Sequence, residues 1–227
     1  FGEGAWAIRA AAYDSQQKCG KAIEAGTFQG EIAPVTVKQR KQEVQIDTDE
    51  HPRPETTPEK MAKLPPAFKK DGTVTAANAS GINDGGAPVL LVAEDAVPDG
   101  VSTDAAVYLR DVRSTGCDPA YMGLGPIGAV RRLLDKNGLG LDDIDLFELN
   151  EAFAAQSIAV VRDLGVDMAK VNVNGGAIAL GHPIGCTGAR VTTTLIHEMK
   201  RRNARYGIAA MCIGGGQGIG CLIENKT

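Results

Sequence analysis

The sequence has no surplus of positive charge: 24 Lys and Arg stand against 28 Asp and Glu, for a formal charge of -4 and a pI near 5.5. That balance excludes an electrostatic footprint for nucleic acid or for an anionic membrane surface, and neither partner is expected. Long hydrophobic runs are missing as well. The most apolar stretch, Tyr206 to Ile223, is broken by six glycines and Gln217, so it reads as two buried strands around a turn. The five cysteines (19, 117, 186, 212 and 221) are odd in number and lack metal-ligand spacing. A reducing compartment therefore fits better than a disulfide framework, the cytoplasm with the mitochondrial matrix as the other choice, and no metal site is expected. No Gly-Lys-Ser/Thr follows a glycine cluster, so there is no P-loop. Nothing reads as a signal peptide. Phe at position 1 is taken to mean that the natural N terminus is missing or processed, and that the chain is part of a longer protein.

What is present is an α/β pattern over 227 residues, 43% of them apolar, enough for one large domain or two small ones. Ala7, Ile8, Ala11, Ala12, Ala22 and Ile23 recur at helical spacing, predicting a helix from Trp6 to Ala25 with Gly26 as its C-cap and Cys19 on the exposed side. Strands are predicted at Ile32–Val37 and Glu43–Ile46, and the proline-rich segment from His51 to Pro58 reads as a surface loop. Ser80 to Gly86 is a turn that should open a helix, with an apolar strand starting at Pro88. A boundary is placed near residues 100–104. Beyond it, strands are predicted at Ala105–Arg113, Ile144–Leu149, Val171–Asn174, Gly207–Ile213 and Gly218–Ile223, and helices at Ile127–Lys136, Asn150–Leu164 and Gly185–Arg201.

Three short segments in the second portion carry chemistry. Asn150-Glu-Ala-Phe153 follows an apolar strand, where open α/β sheets present functional groups; an asparagine there also fits a plain helix N-cap. His182 emerges between Gly181 and Gly185 in a nearly uncharged setting, which suits a neutral-pH base as well as a structural histidine. Cys212 opens Cys212-Ile-Gly-Gly-Gly-Gln-Gly218, where backbone N–H groups could bind an oxyanion; buried structural cysteines look the same in isolation. Gly123-Leu-Gly125-Pro-Ile-Gly128 fits G-x-G-x-x-G, with Glu148 twenty residues on, but no apolar strand feeds its first glycine.

In their order and spacing, Asn150-Glu-Ala-Phe, Gly181-His-Pro and Cys212-Ile-Gly-Gly-Gly resemble the thiolase family, especially acetyl-CoA acetyltransferases. Thr75-Ala-Ala-Asn-Ala-Ser80-Gly-Ile-Asn-Asp-Gly85 looks like the family segment beside the pantetheine arm, with Ala77, Gly86 and Pro88 departing from the pattern. The resemblance implies an α/β, five-layered αβαβα architecture. Residues 1–82 would form the later part of the CoA-binding loop domain, 83–103 the tail of the N-terminal half, and 104–227 the second βαβαβαββ half. It implies acyl transfer between CoA thioesters: condensation of two acetyl-CoA to acetoacetyl-CoA, or the reverse thiolysis of a 3-ketoacyl-CoA. His182 would deprotonate a nucleophilic cysteine and, with a water held by Asn150, stabilise an enolate oxygen. Cys212 would exchange the α-proton and the Gly214 N–H would bind an oxyanion. Ser80 and Ala76 would line the pantetheine, Leu64 the adenine, Phe153 the thioester, and Arg53 a phosphate.

The family's nucleophile has no counterpart here. The chain alone is therefore expected to be inactive, completed by the remainder of a thiolase subunit or by a partner chain, and assembled as a homodimer or homotetramer. The coenzyme A thioester is expected as substrate, with no permanently bound cofactor. The competing expectation is a catalytically incomplete protein that binds CoA or a partner.

Overall fold

The computed structural model describes residues 4–40, 42–100, 102 and 106–226. Its second portion is built on a four-stranded sheet in the order β3-β6-β5-β4. The strands are β3 (Tyr108–Gly116), β4 (Leu146–Leu149), β5 (Tyr206–Ile213) and β6 (Gln217–Glu224). β4 and β5 run parallel, whereas β5–β6 and β6–β3 are antiparallel. The period-two alternation of strands sends successive side chains to opposite faces, and both faces are covered. Phe147, Leu149, Ile208, Ala210 and Leu222 meet Val130 and Leu133 of α3 (Gly125–Asn137) and Val160 of α4 (Ala154–Leu164). On the other face Leu146, Ala209 and Ile223 meet Val191, Leu195 and Met199 of α6 (Thr187–Arg202). Each fully buried aliphatic side chain contributes about 1.5–3 kcal/mol, so the sheet is fixed from both sides.

The glycines of the G-x-G-x-x-G run serve this packing. A Cβ on Gly125 would collide with the Gln217 carbonyl, one on Gly128 would lie 2.8 Å from Thr115 Oγ1, and one on Gly123 2.6 Å from Gln156 Cγ. A 3-10 segment, Pro119–Leu124, rather than a strand leads into α3. The run is a close helix–sheet contact.

The first portion drapes over this unit. It consists of α1 (Gly4–Glu24), an exposed antiparallel ribbon of β1 (Val35–Gln39) and β2 (Gln42–Ile46), and the short α2 (Pro58–Ala62). Gly26 ends the first helix in a left-handed conformation, φ 69°. Ala12 packs with Met61, Ala154 and Ile178, while Cys19 and Ala22 pack with Phe28 and Ala179. Cys19 is therefore not on an exposed face: it is 0% accessible. The buried stripe of α1 is made of small and polar residues because backbone lies close against it: Ser15 and Cys19 meet the Gly175–Gly176 turn, Gly20 leaves room for Pro54, and Gln16 bonds Ile178 O and the Arg53 N–H.

Five sequence expectations change. Ser80–Gly86 opens no helix, and Pro88–Val92 forms no strand; the chain is irregular there, with Leu90 and Leu91 exposed. Val171–Asn174 is reduced to one parallel bridge, Phe147 to Val171, because Asn172 turns to φ 44° and spends its side-chain amide on Leu149. The helix expected from Asn150 starts at Ala154. The strand expected from Ala105 begins at Tyr108, and the proposed boundary falls largely on residues outside those described.

Candidate active site

The parallel pair β4–β5 ends at one edge of the sheet, and the Asn150 N–H donates to Ala210 O at 2.9 Å, two residues before Cys212. Asn150 is 1% exposed, and it is not a helix cap: extended Phe153 occupies that position. The chain stays extended because the Ser80 N–H donates to Ala152 O at 3.1 Å and Ala79 bridges Phe153. Asn172 fixes the strand end from the other side, accepting the Leu149 N–H at 2.8 Å and donating to Leu149 O at 2.9 Å.

Glu151 then ties this strand end to the histidine loop. Its carboxylate accepts from Ser15 Oγ (2.7 Å), Asn172 Nδ2 (3.0 Å) and the Ile178 N–H (3.1 Å) of α5 (Ala177–Leu180). A Cβ on Gly176 would collide with that carboxylate. Burial pushes the Glu151 carboxyl up, opposed by these hydrogen bonds and by Lys18.

His182 follows α5, in the turn before α6. Its Nδ1 lies 2.6 Å from Thr187 Oγ1, and that hydroxyl lies 2.9 Å from Pro183 O. The carbonyl can only accept, so the single hydroxyl proton goes to it and Nδ1–H donates to Thr187. Nε2 is thereby left bare, 3.4 Å from Asn150 Nδ2. Desolvation, and then the charge of Arg190, hold the imidazole below its ordinary pKa, so it is neutral and able to take a proton. With Nδ2 turned to the imidazole, Asn150 Oδ1 is buried without a hydrogen-bond partner among the described residues. A buried amide oxygen left this way is a site for one donor, a water or a ligand group.

Cys212 sits near the end of β5, opposite Gly218. Burial pushes its thiol up, its own backbone N–H opposes this, and Cys117 raises it further. The β5–β6 turn is Gly214-Gly215-Gly216, with φ of 87° and 86° at the last two. A Cβ on Gly214 would meet nothing within 4 Å among the described residues. That side of the turn is open.

The other anticipated residues divide into two groups. Ser80 and Phe153 are fastened to the Asn150 segment, Ser80 Oγ also reaching Ala152 O at 3.3 Å. Phe68 stands edge-on to Phe153, the ring centroids 6.0 Å apart. Ala76 and Leu64 are exposed on the loop-rich portion. Arg53 turns Nη1 inward onto the carbonyls of Glu50, His51 and Pro52 at 2.6–3.0 Å, so part of its donor set holds its own loop together. Thr187, Glu151 and Asn172 were not anticipated. Thr187 alone had a local signal, a hydroxyl five residues past His182.

Comparison with known proteins gives the family. Residues 103–225 match the family profile "Thiolase, C-terminal domain" and residues 7–95 match "Thiolase, N-terminal domain". The chain belongs to the thiolase family. This thiolase chain is 58% identical over 206 residues to an acetyl-CoA acetyltransferase of Pseudomonas aeruginosa, covering 90% of the chain and 52% of the relative. It is 51% identical to the human mitochondrial 3-ketoacyl-CoA thiolase, covering 95% and 54%. The crystal structure of the Bacillus anthracis acetyl-CoA acetyltransferase superposes with a TM-score of 0.92 at 47% identity, over 98% of this chain and 56% of that one. The human mitochondrial 3-ketoacyl-CoA thiolase in complex with CoA gives 0.84 at 44% identity, over 96% and 54%. The chain thus spans about half the length of the curated relatives it matches.

Proposed function

We propose that this chain carries the second part of a thiolase active site and that the complete protein transfers acyl groups between CoA thioesters. The reaction is the condensation of two acetyl-CoA to acetoacetyl-CoA and CoA, or thiolysis of a 3-ketoacyl-CoA in reverse. The observation that carries this is the Asn150–His182 pair, with a bare imidazole nitrogen beside a buried, unpartnered amide oxygen. Nε2 takes the proton of a cysteine supplied by the first half, and the thiolate attacks the thioester carbonyl, breaking its C–S bond; CoA leaves with the proton of the Cys212 thiol, which becomes a thiolate. Protonated Nε2–H and a water donating to Asn150 Oδ1 face the oxygen of the second thioester as the Cys212 thiolate removes its α-proton; the enolate attacks the acyl-cysteine, and the released cysteine thiolate recovers the proton from Nε2. The Gly214 N–H donates to the tetrahedral oxyanion.

Ser80, Ala76, Leu64, Phe153 and Arg53 are the proposed contacts of the CoA thioester. The missing nucleophile comes from the remainder of the subunit or from a partner chain, in a homodimer or homotetramer. We divide the chain at 82 and 103, as loop domain, N-terminal tail and C-terminal domain, and assign it to the cytoplasm or the mitochondrial matrix.

The test is thiolysis of acetoacetyl-CoA by CoA. The 227-residue chain alone is expected to be silent, the chain completed with a thiolase first half active, and the completed His182→Asn protein silent again. Turnover by the chain alone refutes the division of labour. The raised Cys212 thiol favours the alternative, a CoA- or partner-binding protein without catalysis; a completed wild-type protein that binds CoA without turning over acetoacetyl-CoA decides for it.

A further inference from the structure

The backbone N–H of His182 has an acceptor from a distant segment, Asn83 Oδ1 at 3.1 Å. It also reaches Gly81 O at 3.3 Å, and Ile82 and His182 form a parallel bridge. The other end of the same amide, Nδ2, lies 3.4 Å from His51 Nδ1. Because the His182 N–H can only donate, the amide oxygen must face it and the nitrogen must face His51, which leaves His51 Nδ1 as the acceptor. Two glycines make room for the arrangement. A Cβ on Gly181, whose φ is 95°, would lie 2.5 Å from Asn83 Oδ1, and one on Gly81 would collide with the His51 ring.

An asparagine amide neither titrates nor attacks, so Asn83 has no proton or electron pair to contribute. What it joins is informative. Three residues before it, Ser80 is bonded through its N–H and its hydroxyl to Ala152 O, beside Asn150. The segment from Thr75 to Asn83 therefore touches both walls of the site, the Asn150 strand end through Ser80 and the His182 loop through Asn83. The contact it protects is a weak one: Nε2 and Asn150 Nδ2 are 3.4 Å apart, near the limit for a hydrogen bond, and a small displacement of the His182 backbone breaks it.

We propose that Asn83 is a positioning residue that registers His182 against the Ser80 segment, with His51 holding the amide so that its oxygen stays on the His182 N–H. The proposal rests on the thiolase reading only for its effect on turnover.

The test uses the ¹⁵N-labelled 227-residue chain, following hydrogen exchange of the His182 amide and the imidazole nitrogen signals, with α3 amides as the folding control. Asn83→Ala is expected to speed His182 exchange about tenfold or more and to shift Nε2, with the control amides still protected. Asn83→Asp keeps an oxygen for the N–H and is expected to keep exchange slow. His51→Phe frees the amide and is expected to speed exchange several-fold. Unchanged exchange and imidazole signals in a folded Asn83→Ala protein overturn the proposal. Should Asn83→Ala not fold, unchanged signals in His51→Phe, or fast exchange in folded Asn83→Asp, overturn it equally.

With a first half added, Asn83→Ala is expected to lower kcat roughly 10- to 100-fold and leave KM within about twofold. A wild-type protein without thiolysis, whose His182 amide nevertheless depends on Asn83, would refute the thiolase reading and leave the positioning role standing.

Discussion

Replacing Thr187 by Val tests how the candidate base is held. The substitution keeps the β-branch and nearly the volume of a side chain that is 0% exposed, so packing in the first turn of α6 is preserved. It deletes the oxygen that relays the imidazole to the backbone, 2.6 Å from His182 Nδ1 and 2.9 Å from Pro183 O. Pro183 O keeps the backbone N–H groups of Cys186 and Thr187, each at 2.8 Å, so only the imidazole Nδ1–H loses its partner, and a buried polar group left unpaired costs about 1–3 kcal/mol. With that one group unpaired, a loss near 2 kcal/mol is expected, or about 4–8 °C in Tm for a chain of this size. The tautomer has its own signature. Without Thr187 the imidazole proton has no reason to stay on Nδ1, and on Nε2 it would meet Asn150 Nδ2 donor to donor unless that amide reversed. ¹⁵N spectra of the imidazole read this directly: Nδ1 protonated in the wild type and in Thr187→Ser, mixed or exchanged in Thr187→Val. A Thr187→Val protein with Nδ1 still protonated and an unchanged Tm refutes the relay and the bare-Nε2 geometry built on it.

Four further outcomes follow from the same structure. Glu148, buried on β4, is pushed up to about 8 by desolvation, which Arg190 only partly offsets. The folded state then holds a proton that the unfolded state has lost, so this group's contribution to stability falls as pH rises from about 4.5 to 8, by at most on the order of 4 kcal/mol. Glu148→Gln should flatten that part of the pH–stability curve measured by denaturant melts, and an unaltered slope refutes the assignment. His182 acts in the opposite sense: its depressed pKa means stability falls as pH drops below about 6.5, a loss that His182→Asn should remove. Cys19, 0% exposed and pushed up to about 12, should resist alkylation at pH 8 in the native chain, by mass mapping, and should react once the chain is unfolded. Gly176→Ala forces a Cβ into the Glu151 carboxylate and should cost about 1–3 kcal/mol in chemical denaturation.

The proposed catalytic groups are legible because glycine and proline punctuate the chain around them. Gly181-His-Pro and Cys212-Ile-Gly-Gly-Gly place side chains at turns where little else can be happening, and the expected strands β4, β5 and β6 put both turns near one sheet edge. The groups that hold them were not legible, because they are ordinary polar residues joined only in space. Ser15 and Glu151 are 136 residues apart, and Asn83 and His182 are 99 apart. The same physics explains the misread elements. Asn150 has the profile of a helix cap, yet pairing of the Ser80 segment with Ala152 and Phe153 keeps the backbone extended for three more residues. Val171–Asn174 has the composition of a strand, yet Asn172 gives its amide to Leu149 and turns the chain away. Cys19 was assigned to solvent because the apolar residues of α1 mark one face, whereas part of its buried face lies on glycine backbone, where small residues fit and large aliphatic ones do not. In each case a side chain or backbone from a remote segment outbid local propensity, and the contacts concerned converge on Asn150 and the loop that leads to His182. Local misreadings therefore cluster where the fold sacrifices regular structure to fix the position of two side chains.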